Sequence, residues 1–286
     1  MKTNQKKTVL VTGASSGFGK GTAEKLLELG HIVYAAARSV DKMKDLEQKG
    51  ARILKMDVTD NESVIAGINQ IINEQNKIDI LYNNAGYGTY GTVENIDMEE
   101  IKYQYEVNVF GAARVLKAVL PQMRKQKSGR IIITASVVSH ISTMGTGWYA
   151  STKHAIKALA ESLRQEVKHL GIEVVMIKPG GVKTGFDKIA FNTLDKVDMS
   201  DEYKDLLKNF KTFMQDTYSK CPGPESTVKA MIKAGLAKKP KTVYKTTSDV
   251  GLYITMQSLL SDRAFDSMMI SSVNKGAKKI AHKNAN

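Results

Sequence analysis

Cysteine is nearly absent: Cys221 is the single thiol in 286 residues, which excludes an internal disulfide and fits a reducing, cytoplasmic compartment. Long apolar runs are missing too. The N-terminal stretch MKTNQKKTVL carries basic residues but no apolar segment ahead of a cleavage site, so the sequence reads as soluble, without a membrane span. Arginine is scarce, with 7 among 42 basic residues in a chain of formal charge +13. The excess is lysine scattered along the chain, and no basic run is interleaved with stacking aromatics, so nucleic acid is not an expected partner. A solvated lysine surface still attracts an anionic cofactor. Internal repeats and low-complexity tracts are also lacking. A hydrophobic content of 42% is too high for disorder, and the length suits one large domain.

What is present is alternation. β-Branched runs recur at 8–12, 31–37, 51–58, 78–84, 130–136, 173–179 and, weakly, 241–246. Between most of them lie apolar residues at helical spacing, such as Ala23, Leu26 and Leu27, or Val64, Ile68 and Ile71. That order predicts an α/β chain with a doubly wound parallel sheet of about seven strands and helices on both faces. The alternation weakens after Thr184. Residues 185–221 read as a polar, irregular lid or substrate-binding insertion, and 222–286 as a C-terminal extension with a helix starting near Pro224 and a frayed basic tail.

The first strand runs into Thr12-Gly13-Ala14-Ser15-Ser16-Gly17-Phe18-Gly19. Gly13 suits a positive φ at the turn, and Gly17 and Gly19 let backbone and helix approach a pyrophosphate at the helix N-terminus. The spacing G-x-x-x-G-x-G departs from the G-x-G-x-x-G dinucleotide fingerprint. The second strand ends in Ala36-Ala37-Arg38-Ser39 without a carboxylate. A guanidinium there pairs with a 2′-phosphate, which a carboxylate would repel, so NADP(H) is expected over NAD(H). Tyr149 and Lys153 are four apart on a long helical stretch and project from one face. An ammonium beside a phenol stabilises phenolate, which provides acid–base chemistry without a metal. Ser136 ends the fifth strand, 13 positions before Tyr149.

The glycine turn, Asn83-Asn84-Ala85-Gly86, Asn108, Ser136, Tyr149-x-x-x-Lys153 and Pro179-Gly180-Gly181-Val182-Lys183-Thr184 stand in the order of the short-chain dehydrogenase/reductase superfamily, which residues 8–184 resemble. The resemblance implies a single Rossmann-type domain and a reversible transfer of hydride between a nicotinamide and a carbonyl or secondary alcohol. It implies Asn108, Ser136, Tyr149 and Lys153 as the catalytic set, with Tyr149 as general acid/base, Lys153 on the ribose, and a water held by Asn108. The implied cofactor contacts are Gly13, Ser15, Ser16, Gly17, Phe18, Gly19, Arg38, Asp57, Val58, Asn84, Ala85, Gly86, Tyr149, Lys153, Pro179, Gly180, Val182 and Thr184. From Pro224 onward the chain resembles NADP-dependent hydroxysteroid and retinol dehydrogenase-like members, which implies a bulky hydrophobic carbonyl or alcohol. Members commonly form homodimers or homotetramers.

Other readings of the same motifs are weaker. A non-catalytic NADP-binding sensor or scaffold has no physical need of the Ser136, Tyr149 and Lys153 trio. Sugar-nucleotide epimerases share Y-x-x-x-K but space their glycines differently, and enoyl reductases usually separate Tyr and Lys by more than one turn. Trp148 and Tyr87 flank the expected mouth. Among the 13 methionines, those between Ser136 and Tyr149 or within 185–221 are the expected substrate contacts.

Overall fold

β-Branched residues dominate the runs that become strands, because a parallel sheet covered on both faces admits apolar side chains at every position. The computed structural model describes residues 6–195 and 200–285. Its strands are β1 (Thr8–Thr12), β2 (Ile32–Ala37), β3 (Arg52–Lys55), β4 (Ile80–Asn83), β5 (Gly129–Thr134), β6 (Ile172–Lys178) and β7 (Val243–Lys245). They form one sheet in the order β3-β2-β1-β4-β5-β6-β7, with every neighbouring pair parallel. This is a single Rossmann-type domain. The chain leaves β1 toward β3 and returns to β4 on the other side of β1, which opens a crevice at the carboxyl ends of those two strands.

Successive side chains along each strand serve opposite faces. Leu10, Leu81, Ile131 and Ile133 join a core with helices α3 (Asn61–Gln75), α5 (Ala112–Gln126) and α6 (Gly147–Glu166). Val9, Val11, Ile80 and Ile132 face the other way, toward α1 (Gly17–Glu28), α2 (Lys44–Gln48) and α9 (Glu225–Leu236). The Asp60 carboxylate caps α3 by accepting from the Glu62 N–H at 2.9 Å. Pro224 stands at the start of α9, as expected from the sequence. A short helix α4 (Met98–Tyr105) runs into α5 through a π-helical turn, Glu106–Gly111, that contains Asn108. On α6, Ile156, Ala160 and Leu163 are buried while His154 and Leu159 stay exposed.

The segment expected to be irregular is helical over its described residues. It forms α7 (Phe186–Leu194) and α8 (Asp201–Lys220), and the chain continues through α10 (Ser248–Leu259) and α11 (Asp262–Ala285). Charged residues dilute the apolar stripe of α8 in sequence. In space, Leu207 and Phe210 are buried with Tyr90, Phe191 and Val273 of α11, which supplies the partner that the segment itself lacks. The basic tail, expected to fray, is the end of α11. Among the described residues no helix is long and apolar enough to cross a membrane.

Candidate functional site

Two glycines and one threonine shape the crevice at the end of β1. Gly13 and Gly17 adopt φ of +67° and +53°, a region that side chains other than glycine rarely enter. A Cβ on Gly13 would stand 2.9 Å from the Ala85 Cα, and one on Gly19 would strike the Gly13 carbonyl. Thr12 Oγ1 accepts from the backbone N–H groups of Asn84 and Ala85 at 3.0 and 3.1 Å, and Asn84 Nδ2 donates to the Thr12 carbonyl at 3.2 Å. The β1 turn and the Asn83–Gly86 turn are thereby fixed as one backbone cradle at the N-terminus of α1. Thr12, the first residue of the glycine-turn stretch, carries this arrangement.

A cavity of about 1200 Å³ extends from this cradle. Gly13, Ser15, Ser16, Gly17, Phe18, Arg38, Asp57, Val58, Asn84, Ala85, Gly86, Ser136, Tyr149, Lys153, Pro179, Gly180, Val182 and Thr184 all line it. Gly19 and Asn108 stand behind the wall. At the far end of the nucleotide-sized slot, Arg38 is exposed at the end of β2, donates to the Tyr103 hydroxyl and lies 6.0 Å from that ring's centre. Lys42 lines the same end. Asp57 accepts from the Thr59 N–H and hydroxyl at 2.9 and 2.8 Å, which holds its carboxylate at the rim.

Tyr149, Lys153 and Ser136 meet midway. Tyr149 is 9% exposed and stacks at a tilt on Phe186, with ring centres 5.1 Å apart. Ser136 Oγ accepts from the Val138 N–H at 3.3 Å. Lys153 is buried; its Nζ donates to the Thr134 carbonyl at 3.2 Å and lies 5.7 Å from the centre of the Tyr149 ring. Burial lowers the Lys153 ammonium to about 8. Burial also raises the Tyr149 phenol, with the Tyr218 phenol adding to the rise and a hydrogen bond to Ser136 opposing it. The ammonium-lowered phenol expected from the sequence is therefore not what this arrangement produces. Desolvation is the largest cause of the rise, and the phenol keeps its proton.

Asn108 acts from behind. Its Oδ1 accepts from the Tyr87 N–H at 2.9 Å, while its Nδ2 donates to the Tyr87 carbonyl at 2.7 Å and to Thr152 Oγ1 at 3.1 Å. The π-helical turn aims it there, and Gly86 makes the approach possible, since a Cβ at 86 would lie 2.9 Å from Asn108 Oδ1. A second buried lysine escaped sequence reasoning: Lys178 Nζ donates to His140 Nε2 at 3.1 Å. Burial brings Lys178 down to about 8 and His140 to about 4, so the imidazole is neutral and accepts. The only sequence signal was a lysine at the end of an apolar strand.

A family model described as short chain dehydrogenase matches residues 7–194. The chain belongs to this family. It is 37% identical over 238 residues to the 3-ketodihydrosphingosine reductase of Bacteroides thetaiotaomicron, covering 82% of this chain and 86% of the relative. It is 31% identical over 279 residues to the NADPH-dependent 3-dehydrocapnine reductase of Ornithobacterium rhinotracheale, covering 93% and 97%. The crystal structure of a short-chain dehydrogenase from Streptomyces avermitilis matches with a TM-score of 0.79 at 28% identity, covering 92% and 95% of the two chains. As a short-chain dehydrogenase, the chain is a pyridine-nucleotide-dependent oxidoreductase.

The other half of the cavity is mainly apolar, and the sequence identified little of it. Phe210, Phe213, Met214 and Tyr218 of α8 face Tyr253, Met269 and Val273 from α10 and α11, with Tyr90 and Phe186 between. Tyr87 lines the cavity as expected, but Trp148 lies outside it and donates to the Val93 carbonyl at 3.1 Å. Among the described residues, Met214 is the methionine in 185–221 that lines it. Met144 packs in the core beside α8, Met176 is buried in the sheet, and Met269 lines the cavity from outside the expected intervals.

Proposed function

We propose that this short-chain dehydrogenase is an NADPH-dependent reductase of long-chain ketones, with Tyr149 as proton donor. One observation carries the reading: Ser136, Tyr149 and Lys153 stand where a backbone phosphate cradle meets an apolar chamber. A carbonyl carried on a long alkyl chain is the group that reaches this junction from the apolar side. The names of two relatives support it, since one reduces a ketodihydrosphingosine and the other uses NADPH on a dehydrocapnine.

The cradle fits a dinucleotide, because Gly13 and Gly19 let the β1 turn, the Asn84–Ala85 backbone and the start of α1 pack against one another at a helix N-terminus, where a phosphate is favoured. The residues that would hold it are Gly13, Ser15, Ser16, Gly17, Phe18 and Gly19 at the phosphates, Asp57 and Val58 at the adenine, and Asn84, Ala85 and Gly86 at the ribose side. Pro179, Gly180, Val182 and Thr184 would hold the carboxamide. Arg38, with Lys42 beside it, meets the 2′-phosphate in place of a carboxylate. The bound nicotinamide supplies the hydride that reduces the carbonyl carbon. Ser136 and Tyr149 donate hydrogen bonds to the carbonyl oxygen, and these strengthen as charge builds there. A phenol held neutral by burial suits this direction, because reduction requires it to give up a proton. Lys153 binds the ribose hydroxyls and meets the developing phenolate. Asn108 fixes the Tyr87 backbone and, through Thr152, the helix that carries both. A non-catalytic sensor has no use for a buried, unpaired ammonium beside a phenol.

The test is an NADPH- and NADH-oxidation assay run in parallel on ketones of increasing chain length. The reading predicts that efficiency rises with chain length, that NADPH is preferred by roughly tenfold or more, and that Arg38→Asp reverses the preference. A wild-type preference for NADH contradicts the role of Arg38. Failure to reduce any of the ketones contradicts the reductase.

A further inference from the structure

We infer that Asp249 is a subsite for a substrate ammonium group placed next to the reacting carbonyl. The inference rests on the reading of the cavity as a ketone reductase's chamber and deepens it.

The charges around the cavity are few, and all but one are accounted for. Arg38, Lys42 and Asp57 stand at the adenosine end, and Lys153 at the junction. Asp216, on the chamber side, is ion-paired with Lys220. Among the described residues lining the chamber, Asp249 is the carboxylate with neither an ion pair nor a hydrogen bond. Lys183 is close enough to influence Cys221 together with Asp249, yet forms no ion pair with it.

Its position is built rather than incidental. Asp249 lies in the first turn of α10 and is half-buried, with its carboxylate resting on Gly180, where a Cβ would collide with both oxygens. Gly180 N–H donates to Thr247 Oγ1 at 2.9 Å, and this ties the start of α10 to the Pro179–Gly180 turn. The Pro179 carbonyl accepts from the Val137 N–H at 2.8 Å, and Val137 follows Ser136 directly. Val250, next to Asp249, is fully buried against Val137 and Ile141. The start of α10, which carries Asp249, is thus tied through the Pro179–Gly180 turn to Val137, the neighbour of Ser136. A helix dipole favours an acid in a first turn, but it does not require that acid to be packed on a glycine inside a cavity.

A cavity-lining carboxylate with neither an ion pair nor a hydrogen bond is free to take a cationic ligand group. The charge also acts on its neighbours, raising the Cys221 thiol and the Tyr253 phenol alongside burial. A substrate ammonium satisfies it with a charge-assisted hydrogen bond. A 2-amino-3-ketone with a long alkyl tail meets all three demands: an ammonium one carbon from the carbonyl, the carbonyl itself, and a chain for the aromatic chamber. 3-Ketodihydrosphingosine is such a compound.

The experiment uses the NADPH-loaded protein with 3-ketodihydrosphingosine and the same chain lacking the amine. Wild type is expected to favour the amino ketone by roughly 10–100-fold in kcat/KM, mainly through KM. In Asp249→Asn the ratio collapses toward one. Equal efficiencies in wild type, or an unchanged ratio in the variant, overturn the assignment. If neither ketone is turned over, the reductase reading fails by itself. Asp249 is then tested by binding: octadecylamine should bind the wild-type complex more tightly than octadecanol, and the difference should vanish in Asp249→Asn. Equal binding of amine and alcohol by wild type overturns the subsite without any variant.

Discussion

Lys153 shows what the site demands of single residues. Its ammonium sits in the interior with a backbone carbonyl as partner and no carboxylate, and burial holds it near 8 instead of an ordinary 10.5. A lysine with a lowered folded-state value destabilises the fold while it stays charged. Below pH 8 both folded and unfolded chains carry the proton, and the full penalty applies. Between about 8 and 10.5 the unfolded chain binds more protons than the folded one, so stability rises with pH across that window. Lys153→Met removes the penalty. Urea unfolding of the cofactor-free variant at pH 7 is expected to show a gain of about 2 kcal/mol, after allowance for the lost hydrogen bond to Thr134. The gain should shrink as the pH approaches 10, and turnover should be lost. A variant less stable than wild type at pH 7 would mean that the buried charge is compensated elsewhere.

At the scale of elements, α7 and α8 convert a nucleotide slot into a chamber. Their docking depends on the loop before α6, where Gly145 has φ +73° and its Cα faces the Phe210 ring. A Cβ there would stand 2.8 Å from that ring, and the Gly145 carbonyl also accepts from the Gly91 N–H at 3.0 Å. Gly145→Ala combines backbone strain with a clash, so it should destabilise the protein by about 1–3 kcal/mol. The loss should fall on α8 first. NADPH affinity, which the proposed function places at the Thr12–Asn84 cradle, should change little while KM for long-chain ketones rises. Calorimetric binding of NADPH beside steady-state kinetics separates the two effects. Equal loss of both would show that the cradle and α8 move as one unit.

At the scale of the molecule, legibility in the sequence follows how local each cause is. The sheet is legible because both of its faces are covered, which makes β1, β4 and β5 read as nearly continuous apolar runs. The glycine turn, Asn108, Ser136, Tyr149 and Lys153 are legible as a set in fixed order, and the fold gathers them around one cavity. The helical state of 201–220 is not, since Phe210 finds its partners in Tyr90 and Val273, far away in the chain. The raised phenol is also hidden: motif spacing gives the ammonium beside Tyr149, whereas the burial that raises the phenol appears only once Phe186 packs on the ring. Asp249 is silent in sequence for the same reason. Its meaning comes from Gly180, reached through the β6–β7 edge of the sheet.

The central claim is that Tyr149 donates the proton in an NADPH-dependent ketone reduction. The most direct measurement compares wild type with Tyr149→Phe, following NADPH oxidation with 3-ketodihydrosphingosine and, separately, the dissociation constant of NADPH. The account predicts that kcat falls by roughly a thousandfold or more while the dissociation constant changes by less than about threefold. Turnover within tenfold of wild type, with the cofactor still bound, would contradict it.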